Sequence, residues 1–475
     1  MTTTAPPTAP PTCRPPLHRH WLRTGWVMTA SGWSANQFSA LLGAYHSDLG
    51  LTAATTTALF GIYVLGLIPG LLLGGPAADR RGRRPVVFVS LMVSALATVL
   101  LMAGSAATGL LWPGRFLTGI GAGALLSAGS AWIKELSSPP YDTVATGGAA
   151  ARRSGLFLSA GFATGGLVAA LIAQWAPSPM ITAYLPHLVL SVAAALLAAR
   201  APETACPGRR LAPPASGHPA PTHTAASDGP AGERTTASDG PAGEWTMASD
   251  GRPAEERTAA GERTAASDGP APERALASHG PTAAPSTAPG TAFRRLVAPV
   301  APWVFVAPSI ALATLPGLVD AGLTGWQTVY AGIVTAVTPG TGLLVAPLAR
   351  RLATRHRIAT AVAGLAAVIL GLLLAAFAVA RVRPDAALLA SAVLGAGYGL
   401  CVAYGLTEVA ALAPPDRLAR LTARFWALCY LGFCAPYAIT LLSGPFAPAA
   451  VLLAAVLPAA ATLVLIARRG TRPTT

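Results

Sequence analysis

The stretch Gly75-Pro76-Ala77-Ala78-Asp79-Arg80-Arg81-Gly82-Arg83-Arg84 sets five charges between two long apolar runs, 54–76 and 85–105. Each run reaches the roughly 20 predominantly apolar residues that a helix needs to cross a bilayer. Charge gathered at a short connection between such runs is what a membrane surface requires, because an ionised side chain inside lipid is costly. Gly82 permits a tight turn between the two helices. Asp79 is an anion that can face a neighbouring helix N-terminus or an arginine.

Outward from this stretch the alternation continues. Runs at 22–45, 110–135, 153–175 and 182–200 complete a first set, and 295–318, 323–348, 358–380, 386–411, 421–443 and 447–467 form a second. Twelve spans in two sets predict an all-α membrane fold of two pseudo-symmetric six-helix bundles. Of 475 residues, 53% are hydrophobic and 11% are charged, against about 25% charged in soluble domains. A net charge of +14 would suggest nucleic acid in a soluble protein. Here the arginines sit in short clusters between apolar runs, so they read as topology signals, and nucleic acid is not expected as a partner.

The segment 204–292 differs in kind. It repeats Ser-Asp-Gly at Ser227, Ser238, Ser249 and Ser267 amid Pro, Ala, Thr and Glu-Arg pairs, with no apolar periodicity. Such a segment cannot bury enough surface to offset its ordering entropy. The organisation predicted is therefore a disordered N-terminus over 1–21, a first bundle over 22–203, a disordered linker over 204–292, a second bundle over 293–468 and a tail over 469–475. Arg80, Arg81, Arg83, Arg84, Arg350, Arg351, Arg355 and Arg357 fall on one side, whereas the other carries essentially Arg381 and Arg383. That asymmetry predicts a multi-pass plasma-membrane protein with both termini and the linker in the cytoplasm. The Pro- and Thr-rich N-terminus has no apolar core near Met1, so no cleaved signal peptide is expected. Cys13, Cys206, Cys401, Cys429 and Cys434 show neither a disulfide framework nor metal-ligand spacing.

The halves echo each other. Gly119, Gly121, Gly123 and Gly129 recur with identical spacing as Gly395, Gly397, Gly399 and Gly405. Gly70-Leu71-Leu72 recurs as Gly342-Leu343-Leu344, and Gly161-Phe162 as Gly432-Phe433. One offset, about 270 residues, relates all three, as expected of a duplicated six-helix unit of the kind from which many transporters are built.

The loop quoted first resembles the signature of the major facilitator superfamily, Gly-x-Leu-Ala-Asp-Arg-x-Gly-Arg-Arg/Lys. It departs at Ala77, where Leu is usual, and keeps Gly75, Asp79, Arg80, Gly82, Arg83 and Arg84. The second half holds a decayed copy, Ala346-Pro347-Leu348-Ala349-Arg350-Arg351, without the acid. Arg115 with Gly119 and Gly123, and Pro202-Glu203-Thr204 after the sixth span, extend the resemblance over nearly the whole chain except the linker and the first twenty residues. One departure bears on function. The fifth-span motif of the family's drug/proton antiporters places Pro where this chain has Gly166, in Gly161-Phe162-Ala163-Thr164-Gly165-Gly166-Leu167. The resemblance implies alternating access about a midplane site, driven by a proton or substrate gradient. It also implies that Asp79 gates the inner side by contacting the start of the eleventh span, from Ala413 to Arg424.

Polar residues inside spans are candidates for substrate contact or coupling because they are costly in lipid. They are Asn36 and Gln37 in the first span, Arg115 and Glu135 at the two ends of the fourth, His187 in the sixth and Glu408 in the tenth. For Asn36 and Gln37, interhelical hydrogen bonding stands level with substrate contact. For Glu135 a salt bridge at the membrane surface, and for His187 a structural hydrogen bond, are the stronger readings. Glu408 is the acid singled out for protonation. Gly119-Ile120-Gly121-Ala122-Gly123 looks like a dinucleotide loop, but no strand precedes it, and helix packing is the better account.

No phosphate loop, nucleophile elbow or His-Glu-x-x-His occurs, so neither ATP-driven transport nor an enzyme is expected, and no cofactor or metal. The expected activity is proton-coupled efflux of hydrophobic or amphipathic small molecules by a monomer in the lipid bilayer. The alternatives are uptake of a small metabolite and a non-transporting membrane sensor or scaffold.

Overall fold

The computed structural model describes residues 19–145, 149–204, 289–412 and 418–470. These form helices and turns, with no strand among the described residues. We number the long helices α1 (His20–Ala40), α2 (Ala53–Arg81), α3 (Arg83–Ala103), α4 (Leu111–Leu136), α5 (Ala149–Trp175) and α6 (Leu185–Ala199) in the first half. The second half holds α7 (Ala301–Ala313), α8 (Gln327–Leu344), α9 (Ala359–Arg381), α10 (Pro384–Leu412), α11 (Leu418–Tyr430, continuing after a 3-10 turn as Ala435–Leu442) and α12 (Pro448–Gly470).

Eleven helices among the described residues are long and apolar enough to cross a membrane. The first predicted span, 22–45, is not among them, because α1 carries Ser31, Ser34, Asn36, Gln37 and Ser39. Those side chains are nonetheless buried, as are most of its 21 residues. Its polarity therefore faces other helices rather than lipid, where backbone and hydroxyl groups find partners. α1 also stops early: after Leu41 a separate short helix, Leu42–Leu49, carries the chain to Gly50.

The signature stretch differs from its predicted form. Asp79, Arg80 and Arg81 are the last turn of α2, and only Gly82, at φ 101°, breaks the helix before Arg83 opens α3. Ala-Ala-Asp-Arg-Arg has good helix formers, and arginines in the last turn suit the helix dipole, so the helix runs on past the apolar stretch.

The glycine repeats are packing sites. A Cβ on Gly123 would overlap the Leu67 carbonyl of α2, and one on Gly399 would overlap the Gly342 carbonyl of α8. The α2–α4 contact thus recurs as α8–α10, with backbones brought together by small residues. Gly161 meets Thr29 of α1, and Gly432 likewise meets Pro302 and Val306 of α7.

Most of the predicted linker, 205–288, lies outside the described residues, as do 1–18 and 471–475. The described fringes of these segments, His20 and Trp21, Pro289–Ala292 and Arg469, are helical, so the predicted edges at 21, 292 and 469 fall inside helices.

Candidate functional site

Two constellations stand out: an ion-pair network where α2, α3, α4 and α6 meet at their arginine-rich ends, and a cavity between the halves. In the network Arg83 is the centre. Its guanidinium pairs with Asp79 at 2.7 Å and with Glu135 of α4 at 2.7 Å. The Thr204 hydroxyl donates to the same Glu135 carboxylate. Glu203 accepts the backbone N–H of Arg83 and of Arg84, each at 2.8 Å, so a side chain beyond α6 caps the start of α3. A carboxylate there satisfies orphan donors and faces the positive end of the helix dipole. Gly82 serves this twice. Its φ is open only to glycine, and a Cβ there would stand 2.9 Å from Glu203 Oε2. The Arg84 guanidinium donates to the Ala201 carbonyl. Arg80 is exposed, and Gly75 lies within α2 with open space around it, the nearest atom being Ser127 Cβ at 3.9 Å.

The second half repeats the central pair at the offset of the glycine repeats. Arg357 donates to Glu408 through Nη2 at 2.8 Å and through Nε at 3.0 Å to both oxygens. Glu408 is buried and Arg357 half-exposed. The Glu408 hydrogen bond and charge hold the Arg357 guanidinium above its ordinary value, against a smaller opposing effect of burial.

The cavity takes its walls from both halves. Asn36 of α1, Tyr63 of α2, Arg115 of α4 and Phe162 of α5 face Phe305 of α7 and Tyr430 of α11. The ring of Phe305 stacks on Tyr430 at 5.0 Å and meets Phe433 at 4.8 Å, which in turn meets Phe60 across the halves at 5.4 Å. Phe433 sits in the 3-10 turn Leu431–Cys434 that interrupts α11. The Gly432 carbonyl in that turn accepts the Ser309 hydroxyl of α7 at 3.0 Å. An interrupted helix at a central cavity recurs in secondary transporters, where freed backbone is tolerated beside a polar or wet space.

The sequence profile described as Major Facilitator Superfamily matches residues 25–437. The chain belongs to that superfamily. Among curated proteins, it is 38% identical over 77 residues to the multidrug resistance protein MdtL of Klebsiella pneumoniae (strain 342), and 36% identical over 77 residues to that of Salmonella typhimurium. Each match covers 16% of this chain and 19% of the relative. Among solved structures, a POT family transporter in complex with 5-aminolevulinic acid aligns with TM-score 0.66 at 12% identity, covering 96% of this chain and 97% of that one. The xylose transporter XylE from E. coli, partially occluded and inward open, aligns with TM-score 0.58 at 12% identity over 94% and 98%. These structural likenesses concern the fold alone.

In this superfamily member the sequence candidates separate. Asn36 and Arg115 line the cavity. The Asn36 side-chain amide also donates to the Phe162 carbonyl at 2.9 Å, tying α1 to α5. Gln37 is buried, and neither its side-chain oxygen nor its nitrogen has a hydrogen-bond partner. His187 is buried inside the first half, 2.8 Å from the Thr98 hydroxyl and 3.3 Å from that of Ser191. Glu135 and Glu408 belong to the ion pairs above. The segment 413–417, at the start of the stretch implied as Asp79's partner, lies outside the described residues, and the ion pair that Asp79 makes is with Arg83.

Two side chains and an aromatic wall of the site escaped the sequence. Glu203 was legible only as part of a resemblance, with no role. Arg357 read as a topology cation. The aromatic wall has its signal in Trp426, Tyr430 and Phe433, which stand at helical spacing in a chain only 7% aromatic. Gly166, where the antiporter motif has Pro, meets Thr335 of α8 so closely that a Cβ would overlap its hydroxyl. That contact joins the two halves.

Proposed function

We propose that the chain is a plasma-membrane exporter of hydrophobic or amphipathic aromatic small molecules, working by alternating access and coupled to protons. The cavity carries this reading: an aromatic wall drawn from both halves suits a ring-bearing molecule. One chain supplies every wall, which supports a single protomer as the transporting unit. The short likeness to proteins named for multidrug resistance supports the outward direction. Placing the arginine-rich ends in the cytoplasm follows the positive-inside rule, with both termini on that side.

On this reading the pairs Arg83–Glu135 and Arg357–Glu408 stiffen the cytoplasmic ends of the two bundles. The contacts from Gln174 to Gly325 at 2.9 Å, and from Trp175 to Trp326 at 6.3 Å, join the halves at the opposite end. Proton coupling on this reading acts through Glu408 once it parts from Arg357.

Proteoliposomes with an imposed pH gradient test the proposal on a panel of aromatic compounds of each charge type. Gradient-driven movement of ring-bearing compounds, lost in Tyr430→Ala with Phe433→Ala, is expected. Movement only down the substrate's own gradient removes the proton. Movement inward in exchange for no proton reverses the direction.

A further inference from the structure

Arg115 is the formal charge on the wall of the cavity, and it has no counter-ion there. It is 1% exposed. Its guanidinium lies 4.3 Å from the ring centre of Phe38 and 4.9 Å from that of Tyr63. Nε donates to the Leu59 carbonyl at 3.2 Å, while buried Nη1 has no hydrogen-bond partner. Among the described residues no carboxylate lines the cavity. The described acids lie elsewhere: Asp79, Glu135, Asp142, Glu203 and Glu408 toward one end, and Asp48, Asp320 and Asp385 toward the other.

A buried guanidinium without an anion is costly, and an open N–H donor adds to that cost. The rings attract its cationic faces but leave the donors in its plane free. Planar, forked donors match a carboxylate.

We propose that the transported molecule is an aromatic carboxylate, its acid group held in the plane of Arg115 and its ring received by the wall that includes Phe305 and Tyr430. The proposal rests on the transport reading above and narrows its substrate class. It also supplies what the cavity lacks, since the substrate itself brings the counter-ion of Arg115. Arg115 and Tyr63 both line the cavity, and the Tyr63 ring also lies against the guanidinium. Molecules that carry a cation in place of the acid are disfavoured by the same charge.

The test compares naphthoate with its uncharged isostere naphthamide, by isothermal titration calorimetry on the full chain in lipid nanodiscs and by counterflow in proteoliposomes. Wild-type protein is expected to bind the acid at least about tenfold more tightly than the amide, the size of one charge-assisted hydrogen bond. Arg115→Gln should bring the acid down to the affinity of the amide, and Arg115→Lys should recover part of the difference. Equal binding of the two by wild-type protein, binding of neither, or a preference that survives Arg115→Gln overturns the proposal. The wild-type comparison stands even if the variants fail to fold. Counterflow of both probes without preference leaves the transport reading intact and removes the anion. Selective binding of the acid with no counterflow of either probe keeps the anion site and removes transport.

Discussion

Glu203 accepts the backbone N–H of Arg83 at 2.8 Å from a position 120 residues further along the chain. The same carboxylate takes the N–H of Arg84, so the first turn of α3 is capped from the end of the first bundle. Glu203→Ala should lower stability by about 0.5–2 kcal/mol, the usual cost of a lost cap. Glu203→Gln should lose less, since its amide oxygen can still accept but no longer offers charge to the helix dipole. Thermal melting in detergent, followed by tryptophan fluorescence, measures both; equal melting of all three proteins would dismiss the cap.

Two glycines of the signature stretch should behave in opposite ways. Gly82→Ala forces a backbone conformation that only glycine holds comfortably and crowds Glu203, at a cost of about 1–3 kcal/mol. Gly75→Ala adds a methyl group to an open position in α2 and should stabilise by about 0.5–1 kcal/mol. The readout is the same melting experiment, and a loss at Gly75 as large as at Gly82 would contradict this account.

The Arg357–Glu408 pair should respond unequally to its two single variants. Arg357→Gln leaves a buried carboxylate without its partner, whereas Glu408→Gln leaves a half-exposed arginine that can reach water. The first should cost about 1–3 kcal/mol, short of the roughly 3–5 kcal/mol of a fully buried pair, and the double variant should match Glu408→Gln alone. Because Glu408 raises the Arg357 value, the arginine's share of stability is present below the ordinary guanidinium range and is lost only as pH rises beyond it. Melting of wild-type protein should therefore not fall between neutral and mildly alkaline pH through this pair. A fall in that window that vanishes in Arg357→Gln would argue against it.

Apolar length and arginine placement made the spans legible, because lipid imposes both on any chain that crosses it. α1 was legible as a run, yet its serines and amides make sense only once neighbouring helices surround them. The end of α2 departs from the charge pattern for a related reason: charge suggests a loop, but Asp79 to Arg81 remain helical until Gly82 stops the turn. The glycine echo between halves was visible as spacing, and the structure supplies its cause in the α2–α4 and α8–α10 contacts. What the sequence hid was partnership. Nothing local ties Glu203 to Arg83 or Glu408 to Arg357, and an apolar span does not announce which of its faces turns to the other bundle.

On the transport reading proposed above, the two bundles move about the aromatic cavity and the Asp79–Arg83–Glu135 network biases that movement. Spin labels at Arg80→Cys and Arg351→Cys, both exposed and one on each half, report the separation of the arginine-rich ends in nanodiscs once the native cysteines are replaced. Pulsed electron resonance should resolve two populations of distance in otherwise wild-type protein. Asp79→Asn should shift weight to the longer one, toward the tenfold change in ratio that about 1.4 kcal/mol produces. A single distance, unchanged by Asp79→Asn and by Glu135→Gln, would contradict the account.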